Sequence, residues 1–350
     1  MAIDRILIDS RPGLGRAALL DGERLVELRV ERPGRESRVG AVYLGRLRKV
    51  AKGLQAAFVD IGLERDGFLP LSDGLSEGDA LAVRVVRDPE GEKGAKLAQV
   101  PGDATGLRPP LCLRPAPSLA ERLRLDFPEA ALSEEAFGEE LEDAVAAALV
   151  PYVPLPSGGS LAIEETAALV AIDVNAGPGA GGGREASHLA VNREAAAEVA
   201  RQIRLRNLAG SLVVDFLRMK RDEGRRKVLT ALREAVATDP AGVQVRGFTA
   251  LGLVEMVRTK SGESLSRLLT VPCAACGGAG RIPSPDRIAA DILAALEREA
   301  RARPGGTLRL LAAPSALAAL PETGNRFGHP VVLEARADFP ADTFHILVAP

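Results

Sequence analysis

The stretch Ala168-Leu169-Val170-Ala171-Ile172-Asp173-Val174-Asn175 is an apolar run that ends on a carboxylate, and Leu212-Val213-Val214-Asp215-Phe216 repeats the arrangement further along the chain. Between them, residues 184–208 have helical character: Ala196, Val199 and Ile203 share one face, and Gly210 is placed to end the helix. A strand, a helix and a second strand make a right-handed crossover with parallel strands. Asp173 and Asp215 are therefore expected at the carboxyl ends of neighbouring strands, where open α/β sheets place their chemistry. Two adjacent carboxylates repel each other, so a cation is the natural third party, and hard oxygen ligands favour Mg²⁺ or Mn²⁺. Asn175 lies two residues beyond Asp173 and shares its face of the strand. A single strand-terminal aspartate more often caps a helix or a turn. Two in consecutive strands, each after an uncharged apolar run, favour a ligand site.

The bulk composition is that of an ordinary folded protein. Of 350 residues, 46% are hydrophobic and 26% charged, which allows two or three domains with a sizeable core. Lysine and arginine number 45 against 47 acidic residues, so any polyanion site must be a local patch. No apolar run approaches the roughly 20 residues of a membrane-spanning helix. The start, Met1-Ala2-Ile3-Asp4-Arg5, lacks the apolar core of a signal peptide. Three cysteines argue against a disulfide framework and for a reducing compartment, so a cytoplasmic location is expected.

Outward from the central unit, residues 1–36 alternate apolar and polar and predict a small β meander. Residues 38–100 carry short strands between Gly and Asp turns, which predicts a small barrel. Residues 101–117 are rich in proline and glycine and read as a linker. Helical periodicity around Phe137, Leu141 and Val145 marks 119–149. A turn at 154–159 leads to a strand at 160–163. Residues 222–238 predict a charged amphipathic helix, and 242–257 an extended region bent at Gly252. A helix at 288–301 precedes a small α+β unit with strands near 308–312, 330–334 and 344–348.

Within the barrel region, Phe58 and Phe68 are candidate platforms for stacking bases, with Arg46, Arg48, Lys49 and Lys93 nearby for a phosphate backbone. Core packing explains the two phenylalanines as readily from spacing alone. The run Gly177 to Gly183 lacks the Lys-Ser/Thr of a P-loop and the register of a dinucleotide site, and reads as a mobile loop beside the metal. Cys273-Ala274-Ala275-Cys276 is half of a tetrahedral zinc site. Two subunits each giving one pair would complete it; a redox pair or two inert thiols are the alternatives. His188, His329 and His345 make no metal-ligand spacing.

In this order the features resemble the ribonuclease E/G family of single-strand-specific endoribonucleases. The resemblance is carried by Gly40-Ala41-Val42-Tyr43-Leu44-Gly45-Arg46 and Ala56-Ala57-Phe58-Val59-Asp60-Ile61-Gly62, and by Gly67-Phe68-Leu69-Pro70 and Leu155-Pro156-Ser157-Gly158-Gly159-Ser160. Its most specific parts are Ala171-Ile172-Asp173-Val174-Asn175, Asn192-Arg193-Glu194-Ala195-Ala196, the stretch 200–208 and Val214-Asp215-Phe216. It implies an RNase H-like subdomain (1–36 with 104–165) interrupted by an S1-type OB barrel (37–103). A DNase I-like catalytic subdomain (166–268), a zinc-link (269–284) and a small α+β C-terminal domain (285–350) follow. It also implies that Asp173 and Asp215 bind Mg²⁺ and that Asn175 orients the site. Phe58, Phe68 and Lys93 would grip RNA, and Cys273 and Cys276 would share zinc between two subunits of a homodimer.

The expected reaction is Mg²⁺-dependent hydrolysis of single-stranded RNA, leaving a 3′-hydroxyl and a 5′-phosphate. Arg201, Arg204, Arg206 and Arg258 are candidates for phosphate contacts. Two departures stand out. The chain passes from Lys93-Gly94-Ala95-Lys96-Leu97 to the proline-rich 109–117 without the longer segment in which family members sense a 5′-monophosphate. An arginine usual just before Gly252 is replaced by Ala250-Leu251. These departures leave a non-catalytic RNA-binding protein as the alternative; a DNA nuclease using the same metal site is a second.

Overall fold

The computed structural model describes residues 2–349 except Pro12, Pro33, Arg35, 71–73, 90–92, 103–105, 178–183, Pro304, 322–327 and His329. The glycine-rich loop expected at Gly177–Gly183, apart from Gly177 itself, thus lies outside the described residues, as do Leu71 and His329. The chain divides into two compact units, Met1–Leu269 and Thr270–Pro350. Among the described residues no helix is long and apolar enough to cross a membrane.

The first unit opens with the expected meander: β1 (Arg5–Asp9), β2 (Gly15–Asp21) and β3 (Arg24–Glu31), all antiparallel. The barrel follows as β4 (Val42–Ala51), β5 (Ala56–Asp60), β6 (Gly67–Pro70), β7 (Ala80–Arg87) and β8 (Lys96–Gln99). Its order β5-β6-β8-β7-β4 closes through the pairing of β4 with β5, and β6 runs parallel to β8. This is the OB-like arrangement of a small closed barrel. A further strand, β9 (Leu111–Arg114), pairs with β4 from within the segment read as a linker. Its four residues are all exposed, so it carries none of the buried alternation that marks a strand in sequence.

The 119–149 region is likewise more than helical. After α1 (Leu119–Asp126) comes β10 (Ala131–Glu134), which joins β1 in parallel, and then α2 (Glu139–Ala147). A capping box starts α1: Ser118 Oγ accepts from the Glu121 N–H at 3.2 Å, and Glu121 Oε2 accepts from the Ser118 N–H at 2.7 Å. An ion cluster ties α2 to the meander. Arg16 Nη2 lies 2.6 Å from both Asp9 Oδ2 and Glu142 Oε1, and its guanidinium sits 4.5 Å above the Phe137 ring. The Arg11 guanidinium beside Asp9 draws that carboxyl down to about 2, against the opposing effect of burial. Arg16 chiefly draws Glu142 down to about 2.

The central sheet is built from β11 (Tyr152–Pro154), β12 (Ser160–Glu165), β13 (Val170–Asn175), β14 (Gly210–Asp215), β15 (Val243–Phe248) and β16 (Val254–Arg258). Their order is β11-β12-β13-β14-β16-β15. The sheet therefore begins at Tyr152, before the boundary at 166 expected for a separate catalytic subdomain. Only hydrogen bonding, not alternation, decides which sheet a short strand enters. The crossover helix α3 (Arg184–Leu205) and α4 (Asp222–Val236) cover one face. There Ala195, Val199, Ile203, Val228 and Leu232 pack with Ile172, Val174 and Val214 in one core. Helix α3 ends earlier than the glycine predicted: Asn207 takes the left-handed conformation (φ 49°), and the Leu208 N–H reaches back 2.9 Å to the Ile203 carbonyl. Gly210, at φ 87°, instead opens β14. A short α5 (Leu265–Leu269) closes the unit.

The second unit contains the Cys273–Cys276 turn, α6 (Pro285–Ala302), β17 (Thr307–Ala312), α7 (Pro314–Ala318), β18 (Val331–Ala335) and β19 (Phe344–Ala349). Ile288, Ile292 and Leu296 of α6 pack on Leu308 and Leu310 of the central strand.

Candidate functional site

Alternation on β13 and β14 sets the site. Val170, Ile172, Val174, Leu212 and Val214 point into the helix-covered core, so Asp173, Asn175 and Asp215 project from the opposite, exposed face. The strands are parallel and in register, with Asp173 directly opposite Asp215. Neighbouring strands lie about 4.8 Å apart, which brings both carboxylates within reach of one cation. Asn175 Nδ2 donates to Asp173 Oδ2 at 2.9 Å, which fixes that carboxylate's rotamer. The rim is close-packed: a Cβ at Gly159 would fall 2.7 Å from the Asn175 carbonyl, and one at Gly177 2.1 Å from the Gly158 carbonyl.

Among the described residues no group of three or more His, Cys, Asp or Glu side chains converges on one point. The donor set is thus two hard carboxylate oxygens on an open face. That fits Mg²⁺, which binds through one or two carboxylates and keeps water or substrate phosphate as its other ligands.

The four arginines predicted to touch phosphate do not face this site. Arg258 is 3% exposed and holds Asp239 in a fork, with Nε–Oδ2 at 2.8 Å and Nη2–Oδ1 at 3.2 Å. Arg204 pairs with Glu27 across to the meander, at 2.8 Å. Arg201 binds Glu198 and donates to the Leu25 carbonyl. Arg206 donates to Gln202 and to the Val150 carbonyl, and burial pushes its guanidinium down to about 10. These arginines lie on the covered side of the sheet and join its helix and edge to neighbouring elements. Basic residues at the end of α3 are legible in sequence, but their buried partners are not.

On the barrel, Phe58 stands opposite Phe68, and their rings meet edge-to-face with centroids 6.3 Å apart. Ala57 and Val59, on either side of Phe58, are fully buried, so Phe58 faces outward and is half-buried, while Phe68 is 36% exposed. Core packing therefore fails as the account of these rings. Register adds two lysines that the sequence does not mark as a pair: Lys49 opposes Phe58, and Lys96 opposes Phe68. The result is one cross-strand row, Lys49–Phe58–Phe68–Lys96. Lys93 is exposed at the approach to β8. Arg48 is tied to Asp60 at 2.6 Å, and the Asp60 carboxyl lies below its usual range, chiefly through the Gly62 N–H.

Residues 115–261 match the Ribonuclease E/G family. The chain is 28% identical to Ribonuclease G of Escherichia coli (strain K12), in an alignment covering 90% of this chain and 92% of that protein. It is 28% identical to Ribonuclease G of Haemophilus influenzae, over 82% of this chain and 86% of that one. Against Ribonuclease E of Escherichia coli (strain K12) the identity is 29%, over 81% of this chain and 39% of that longer protein. The chain is thus similar to the ribonuclease E/G family over its central residues, and to these ribonucleases over most of its length.

Beside Ribonuclease G it is short. The Ribonuclease G alignment runs over 448 positions, more than the 350 residues of this whole chain, so that relative carries a substantial stretch with no counterpart here. Leu251 is 87% exposed at the tip of the β15–β16 hairpin. Because Val214 pairs with Val254, that tip stands at the same end of the sheet as Asp215. In the second unit, Cys273 is exposed and Cys276 partly so. The Gly280 N–H donates to Cys276 Sγ at 3.3 Å, and the turn's backbone N–H groups, Gly280 first, draw that thiol below its ordinary value. Cys112 is exposed in the barrel's added strand.

Proposed function

We propose that this chain is an endoribonuclease that hydrolyses phosphodiesters of single-stranded RNA with Mg²⁺ held by Asp173 and Asp215. The observation that carries the reading is the in-register pair of exposed carboxylates on parallel strands. The names of the relatives, Ribonuclease G and Ribonuclease E, support the same activity. When bound there, Mg²⁺ supplies charge stabilisation at the phosphoryl group and an activated water. The chain's own residues do the rest. Asp173 and Asp215 set the cation's position, and Asn175 holds Asp173 in one orientation. Phe58 and Phe68 stack bases while Lys49, Lys93 and Lys96 meet the backbone, so RNA affinity falls steeply with salt. Cleavage leaves a 3′-hydroxyl and a 5′-phosphate.

The missing stretch supports activity indifferent to the 5′ end, in which 5′-monophosphate and 5′-hydroxyl RNAs are cut at equal rates. Cys273 and Cys276 pair with the same two residues of a second copy around Zn²⁺, giving a homodimer. The alternative is a protein that holds RNA without cutting it, motivated by Ala250-Leu251 standing where the resemblance implies an arginine.

The test is cleavage of an end-labelled, A/U-rich single-stranded RNA with Mg²⁺, wild type against Asp173→Asn. Internal cuts that require Mg²⁺ and vanish in the variant support the enzyme. RNA bound but left whole by both proteins favours the binding reading. A single-stranded DNA of the same sequence, cut as fast, would make the protein a nuclease of broader substrate.

A further inference from the structure

The two aspartates are not held alike. Asp173 lies inside its hydrogen-bond ladder, because β13 stays paired with β12 through Asn175. Asp215 is the last laddered residue of β14 on the β13 side, and on the other side pairing with β16 ends at Val214. Beyond it no strand neighbour remains to fix the chain. A frayed strand end would let Asp215 wander relative to Asp173. Mg²⁺ tolerates this poorly, since it demands near-ideal octahedral geometry at 2.0–2.1 Å.

The missing neighbour is replaced by one side chain. Asn192 of α3 is fully buried, and its amide binds both backbone groups of Leu217: Oδ1 accepts from the Leu217 N–H at 2.9 Å, and Nδ2 donates to the Leu217 carbonyl at 2.8 Å. That is the hydrogen-bond pattern an adjacent strand would supply, delivered by a helix. One turn earlier on the same helix face, His188 Nδ1 lies 3.0 Å from the Arg218 carbonyl, which only accepts, so Nδ1 carries the proton. A third α3 residue, Glu194, accepts the Ser157 N–H at 3.0 Å on the other rim of the site.

We infer that Asn192, supported by His188, is a positioning residue that fixes Asp215 against Asp173 by clamping the chain just beyond it, and so sets the affinity for the divalent cation. This inference rests on the metal-dependent reading above. Neither residue touches the substrate in it. Asn192 acts through the backbone of Leu217.

Mn²⁺ binding to the full-length protein, followed by the loss of the free-ion electron paramagnetic resonance signal, tests this without relying on catalysis. Asp173→Asn defines the signal belonging to the paired aspartates. Asn192→Leu keeps the buried volume and removes both hydrogen bonds. Its Mn²⁺ affinity should fall by about 10-fold or more, the scale seen when groups that orient metal ligands are lost. RNA affinity in EDTA should not change, because the barrel is untouched. His188→Ala, at a partly exposed position, should shift Mn²⁺ affinity in the same direction by less, and it serves if Asn192→Leu does not fold. A folded Asn192→Leu protein, or His188→Ala in its place, that binds Mn²⁺ as wild type does overturns the clamp alone. Wild type that binds no more Mn²⁺ than Asp173→Asn overturns the metal-site reading together with the clamp.

Discussion

Replacing Arg258 with methionine should destabilise the first unit severely and leave the character of RNA binding intact. The guanidinium is 3% exposed and forms four hydrogen bonds: two to Asp239, one to Asn207 Oδ1 at 2.9 Å and one to the Leu208 carbonyl at 3.1 Å. Asp239 is itself 7% exposed, and without Arg258 it keeps only the Ala241 N–H among its described partners. Breaking a buried pair by removing one partner costs about 3–5 kcal/mol, because the other charge stays buried and uncompensated. At about 2–4 °C per kcal/mol for a unit of this size, the melting temperature should fall by roughly 6–20 °C. Adding Asp239→Asn should recover part of the loss. The assay is thermal unfolding, combined with RNA affinity measured across salt concentrations. An arginine that neutralised a phosphate would instead reduce the salt slope by about 1 when removed. An unchanged melting temperature with a reduced slope would refute the structural role and restore the phosphate contact.

Three further outcomes are expected. Phe68→Ala should weaken single-stranded RNA binding by about 5- to 150-fold, the range for one lost base stack, with little change in melting temperature because the ring is partly exposed; undiminished affinity would remove the ring from the RNA surface. Asp9 and Glu142 have folded values of about 2, below those of the unfolded chain. Their contribution is therefore complete above about pH 4.5 and is lost as pH falls toward 2. Melting temperatures taken from pH 5 to 2 should fall less steeply in Asp9→Asn than in wild type, and parallel curves would contradict this. Cys273→Ser should lose bound zinc and halve the mass of the assembly in native mass spectrometry, whereas a zinc-bearing dimer of unchanged mass would end the zinc-link proposal.

Two kinds of information meet in this chain. The adjacency of Asp173 and Asp215 follows from the sequence alone, because strand alternation, helical periodicity and the right-handed crossover are local or chiral rules that act on consecutive residues. The same rules locate the barrel strands, the meander and the three strands of the second unit. They do not reveal β9 or β10, which are four residues each, without buried side chains and bounded by proline or loop residues, and which exist as strands only because β4 and β1 offer them partners. Nor do they reveal that Lys49 and Lys96 stand directly opposite Phe58 and Phe68, since cross-strand register joins residues far apart in the sequence. The arginines are the clearest case. By sequence, Arg204, Arg206 and Arg258 are cations near the expected phosphate-cleaving site; tertiary packing gives them Glu27, Gln202 and Asp239 as partners and turns them inward. Charge and residue type are properties of the chain alone, but whether a charge faces substrate or a buried counterion depends on long-range contacts that only folding creates.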